Sequence, residues 1–127
     1  MITIKAMCLD DGDDVVTRWY QQESLQAQAR LDARMIHLRQ QPRDNWTRPL
    51  YDTLRDGVGE VRFKAARIHH RALGYFGPER NEFTFLFFAT KTDRWDPHNS
   101  IEIAIDRKKI VEAEPRRAVR LKKWGQQ

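Results

Sequence analysis

The chain has 127 residues, of which 40% are hydrophobic and 32% charged. That length and composition fit one globular domain with a charged surface and exclude a disordered chain. No apolar run reaches the roughly 20 residues of a membrane-spanning helix, and the start MITIKAMCLDDGDD lacks the basic and apolar stretches of a secretion signal. Cys8 stands alone, so no internal disulfide is expected, and the expected compartment is the reducing cytoplasm with no membrane partner. The net charge of +5 is uneven. Residues 1–60 carry 8 Lys/Arg against 10 Asp/Glu, and residues 61–127 carry 15 against 8. A scaffold half and a half facing a polyanion would give this distribution, and so would a merely solvated surface.

In chain order, Ile2, Ile4, Ala6 and Cys8 alternate as in a short strand. A long helix is expected from about Asp13 to about Gln40. Val16, Trp19, Leu31, Met35 and Leu38 share one face of it, and it has no internal Gly or Pro. Pro42 and Asn45 mark a loop, and a short helix is expected over Leu50 to Leu54, stopping at Gly57. Three antiparallel strands should follow. In the first, Val61, Phe63 and Ala65 alternate with charged residues. The second is Ile68 to Phe76. The third, Phe83 to Thr90, is apolar on both faces, as in a central strand. Asn99 and Glu102 have the spacing of a capping box for a last helix, which Pro115 ends. The fold class expected is α+β, a single domain over residues 1–115. Residues 116–127 form a basic tail expected to be flexible or ordered on a partner.

No phosphate-binding glycine loop, HExxH or nucleophile elbow is present, and His37, His69, His70 and His98 have no spacing that argues for a metal. No cofactor is expected. What remains is a set of cations on strands. Arg62 and Lys64 share a face of one strand, Arg67, His69 and Arg71 recur with period two on the next, and Lys91 and Arg94 stand at the end of the third. A sheet face of this kind can cradle a phosphate backbone, although a solvent-facing sheet also carries long charged side chains without any ligand. The same cluster could promote RNA cleavage. The 2′-OH attacks the adjacent phosphate, preorganised cations meet the charge that builds up, and an imidazole moves protons. Arg62 and Arg71 suit charge stabilisation, Lys91 suits phosphate contact, and His70 or His69 suits proton transfer. A regular strand puts His69 on the Arg71 face, and a bulge would put His70 there.

The stretch from Gly59 to Lys109 carries a resemblance. Glu60-Val61-Arg62-Phe63, His70-Arg71-Ala72-Leu73-Gly74-Tyr75-Phe76, the apolar Phe83–Ala89, and Pro97 leading into Ile101-Glu102-Ile103-Ala104 are similar to the HigB-like, phage-derived branch of the RelE/ParE toxin superfamily. The resemblance implies the compact RelE-like fold and a type II toxin–antitoxin module. It also implies metal-independent cleavage of mRNA at the ribosome, and a partner antitoxin with a helix-turn-helix domain. By matching position it implies Arg62, Arg71 and Lys91 as catalytic residues, with His70 beside Arg71. Lys64, Arg67, His69 and Arg94 are then candidate RNA contacts. The sequence departs from the pattern at Thr92, where a second lysine is usual, and at Asp93 and Asp96. Those departures keep a second class open: a non-enzymatic toxin or relative that acts by protein contact, as in gyrase inhibition or antitoxin binding alone. A simple nucleic-acid-binding module is a third.

Overall fold

The computed structural model describes residues 1–127 as a mixed α+β fold, with one seven-stranded sheet and three α-helices. The elements are β1 (Thr3–Met7), α1 (Val15–Gln22), α2 (Leu25–Leu38), β2 (Tyr51–Thr53), β3 (Val58–Ala65), β4 (Ile68–Phe76), β5 (Glu82–Lys91), β6 (Trp95–Asp96), α3 (Ser100–Ala113) and β7 (Ala118–Arg120). The sheet runs β2-β3-β4-β5-β1-β7, with β6 paired to the end of β5. No helix is long and apolar enough to cross a membrane.

The three strands expected in the middle of the chain are present with short antiparallel links. The sheet is not wholly antiparallel, because β1 runs parallel to β5. Two local expectations fail. The long helix is two helices. Glu23 and Ser24 are extended, and the Ser24 hydroxyl accepts from the Ala27 N–H at 3.2 Å as an N-cap. Such a cap typically contributes about 1 kcal/mol and offsets part of the broken helix ladder. The break lets α1 pack over β5 and α2 over β3, which one straight rod could not do. The second failure is Leu50 to Leu54. Its centre is strand β2, with Tyr51 buried against Trp46, Phe76 and Phe83. Gly59 makes this possible, because a Cβ there would lie 1.9 Å from the Tyr51 hydroxyl oxygen.

The capping box at α3 does not form. Asn99 makes no side-chain cap, and Glu102 is drawn instead to Arg55 at 2.9 Å. Ala104, Ile105 and Val111 are buried beneath α3.

The C-terminal residues are not loose. β7 pairs antiparallel with β1, and Trp124 and Gln126 are buried. The Gln126 amide brackets Ile4, accepting from its N–H at 2.7 Å and donating to its carbonyl at 3.0 Å. The Trp124 indole N–H donates to Asp32 on α2 at 2.9 Å. The tail is therefore a clasp that joins β1 to α2, and the expectation of a flexible segment fails there. Few apolar residues suffice because each meets a preformed slot. Trp124→Ala should lower the unfolding free energy by about 3 kcal/mol, measured by urea denaturation. A loss near zero would mean that the tail does not hold the fold.

Candidate nucleic-acid interface

Pairing between β3 and β4 places Arg62 opposite Arg71 and Lys64 opposite His69. Directly opposed residues share a face, so these four project together. They line one cavity of about 180 Å³ with Pro49, Phe63 and Arg34, the last supplied by α2. Lys91 reaches the same face at the end of β5, with its ammonium 5.1 Å from the centroid of the Trp95 ring. No acidic residue lines the cavity.

One carboxylate lies beneath the cluster. Glu60 precedes Arg62 on the same face, is 4% exposed, and has Oε2 3.3 Å from Arg71 Nε. The two atoms are close enough to pair electrostatically but not aligned as a hydrogen bond, since both lack a bonding partner. Arg71 also donates from Nη1 to the His70 carbonyl at 3.0 Å. Burial raises the Glu60 pKa above the ordinary carboxylate value, while Arg71, Arg62 and Lys91 pull it down. Burial lowers the Arg71 pKa, Glu60 opposes that, and Arg62 adds to it. The guanidinium still remains charged, because arginine stays protonated in proteins. The result is an aimed, desolvated cation in an electropositive cavity.

The remaining predicted residues are elsewhere. His70 lies on the opposite face, 3% exposed, stacked on Phe63 at 4.9 Å and edge-on to Trp19. It is a core residue and cannot reach a ligand in the cavity. His69 is exposed on the cation face, as strand parity predicts. Arg67 is not on β4. It shares the two-residue turn to β4 with Ala66, and both have positive φ, 68° and 49°. That turn suits the strand twist but is disfavoured for side chains with a Cβ. Arg67 therefore sits at the exposed hairpin tip, and Arg94 is exposed in the turn between β5 and β6.

Sequence reasoning missed two members. Glu60 was legible, being in period-two register with Arg62 and Lys64. Arg34 was not, because it comes from the acidic half and faces the cavity only through the packing of α2 on β3. A separate cleft of about 210 Å³ between α1 and α3 is lined by Leu9, Val15, Trp19, Phe87 and Phe88, with Arg18 and Arg107 at its margin. It is mainly apolar and has no imidazole or carboxylate, which suits it less to phosphate chemistry. No group of three or more His, Cys, Asp or Glu side chains is placed to hold a metal.

A family model described as phage derived protein Gp49-like (DUF891) matches residues 18–109. The match takes in every strand and helix that builds the cavity. The chain belongs to the Gp49-like family. This is a toxin-type family similar to RelE and HigB proteins. No curated protein and no solved structure matches the chain. The β1 strand and the C-terminal clasp lie outside the matched residues, so the family match covers the cation face and its supporting helices.

Buried His70 gives this face a pH dependence through its support. Burial lowers the His70 pKa below its ordinary 6.5, with Glu23 opposing and Arg71 reinforcing the shift. The folded chain thus binds fewer protons at this site than the unfolded chain. Its stability contribution is intact above about pH 6.5 and declines as the pH falls below that value. His70→Phe should flatten the decline of the thermal midpoint between pH 6.5 and the depressed value. An unchanged slope would assign the acid sensitivity to other groups.

Proposed function

We propose that this Gp49-like protein is the toxin of a type II toxin–antitoxin module. In this reading it is an endoribonuclease that cleaves mRNA at the ribosome, without metal, and so inhibits translation in the cytoplasm. The observation that carries the reading is the acid-free cavity in which Arg34, Arg62, Lys64, Arg71 and His69 converge. Arginines grip paired phosphate oxygens, and fixed cations stabilise a phosphorane most where water is excluded. Arg71, held by Glu60 and the His70 carbonyl, is aimed before the substrate arrives. Arg62 and Lys91 add charge stabilisation, and Lys64 contacts the flanking phosphate. His69 supplies the cavity's only imidazole, the side chain most often used for proton transfer. In the cleavage step the 2′-oxygen loses its proton to His69 and bonds to phosphorus. The bond to the 5′-oxygen breaks and that oxygen takes a proton from solvent water, leaving a 2′,3′-cyclic phosphate and a 5′-hydroxyl. His69 is thus assigned the role for which His70 lacks access. Arg67 and Arg94, outside the cavity, are left to contact the surrounding RNA. The partners in this reading are the ribosome, mRNA and an antitoxin with a helix-turn-helix domain.

One observation favours the non-catalytic alternative. Arg71 is only 8% exposed and is already engaged by Glu60 and the His70 carbonyl. A toxin that acts by protein contact would not need it free. Primer extension on a reporter mRNA in a reconstituted translation system separates the two. Cleavage should require ribosomes, and Arg71→Ala should lower the cutting rate by about 10²–10³-fold with antitoxin binding retained. Folded wild-type protein that arrests translation without cuts would move the assignment to protein contact.

A further inference from the structure

We propose that Arg30 and Arg34 on α2, with the end of β3, form a second phosphate-binding groove for single-stranded RNA leaving the cavity. The identity of the strand rests on the cleavage reading, while the anion-binding character of the groove rests on the geometry alone.

A second cavity of about 320 Å³ is lined by Arg30, Ala33, Arg34, Phe63 and Lys64. It shares Arg34, Phe63 and Lys64 with the first, so the two are one continuous channel around the end of β3. No acidic residue lines either part. The acids nearest in sequence are committed elsewhere or lie outside the channel. Asp32 accepts from Tyr20 and Trp124 on another side of the helix.

Arg34 is the unusual member. Its Nε is buried and has no hydrogen-bond partner. A buried guanidinium N–H left unpaired is costly, and a turn of this partly exposed side chain toward a phosphate would pair it. Burial and then repulsion from Arg30 make Arg34 a weaker base than an ordinary arginine, which an anion between the two would relieve. Arg30 and Arg34 stand one helical turn apart, about 6 Å along the axis. That is close to the separation of neighbouring phosphates in an extended strand. The channel runs between helix α2 and the end of strand β3. An acidic protein segment is the less favoured occupant. Protein interfaces are anchored by large apolar side chains in pockets, and the apolar lining here is limited to Ala33, Pro49 and the nearly buried Phe63.

Fluorescence anisotropy on the purified full chain, away from ribosomes, tests the proposal with a trinucleotide and a dodecanucleotide of unstructured RNA. Arg30→Gln, outside the first cavity, should weaken dodecanucleotide binding and leave the trinucleotide unchanged, and adding Arg34→Gln, which lines both cavities, should deepen the dodecanucleotide loss to about tenfold. Each lost phosphate contact removes about 0.7 from the slope of log affinity against log salt, so the slope should shrink by about 1.4. The paired Arg30→Lys and Arg34→Lys variant should keep the slope. Should the Arg34 variant fail to fold, Arg30→Gln alone, at an exposed position, should remove about 0.7. An unchanged slope, equal loss for both oligonucleotides in Arg30→Gln alone, or a larger loss for polyglutamate than for RNA would overturn the groove. The two readings fail separately. Wild-type protein that cuts mRNA with no slope change in the variant removes the groove and keeps cleavage. A slope change with no cutting by wild-type protein removes cleavage and keeps the groove.

Discussion

Opposite Arg62 in the sheet stands Arg71, and opposite Phe63 stands His70. This antiparallel register between β3 and β4 governs the rest of the molecule. Side chains alternate across a strand with period two, so one register sends every second pair into the core beneath α1 and α2, and the intervening pairs onto the other face, which is buried at Glu60 and Leu73 and opens toward Lys64 and His69. A slip of one residue would bury two arginines and expose Phe63. The register is held by strong terms on the core side. Trp19 stacks on Phe88 at 4.9 Å and meets Phe63 and His70 edge-on. Gly59 faces Gly74 across the pair, and neither position has room for a Cβ. The cation face is thus a by-product of aromatic packing on the other side of the same strands.

Glu60 turns that face from a collection of charges into a directed one. An isolated carboxylate at 4% exposure would be costly, and three cations around it reduce the cost. In return its position restrains Arg71, which would otherwise be free to fold back over the sheet. Buried ion pairs contribute little net stability, so the pair is better understood as fixing direction. A guanidinium held in place before the ligand arrives loses less entropy on binding.

The tail reaches the same site by a longer route. Trp124 and Tyr20 both donate to Asp32, and Lys123 lies over the Tyr20 ring at 3.9 Å. These contacts set the rotation of α2, whose Leu31, Met35 and Leu38 are buried. With that rotation set, Arg30 and Arg34 face the end of β3. Residues that bind nothing themselves therefore determine whether α2 completes the cavity.

The sequence by itself determined the α+β class, the three central strands and the last helix, because those segments have strong periodicity and clear turns. It also determined that Arg62 shares a face with Lys64 and, on a regular strand, His69 with Arg71, since parity within a strand is a local rule. Its ambiguity between His69 and His70 was resolved only by register, which leaves no bulge between Arg62 and His69. Five features were decided by tertiary structure alone. Ser24 ends one helix and starts another because α1 and α2 pack on different strands. Tyr51 lies in a strand because an aromatic cluster and a glycine on β3 receive it. β1 lies parallel to β5, and the tail is ordered because β1, α2 and Arg39, which donates to the Trp124 carbonyl at 3.3 Å, offer it partners. Arg34 joins the cavity for a similar reason. A helix presents residues in all directions, and only the surface it packs against decides which of them become part of a site.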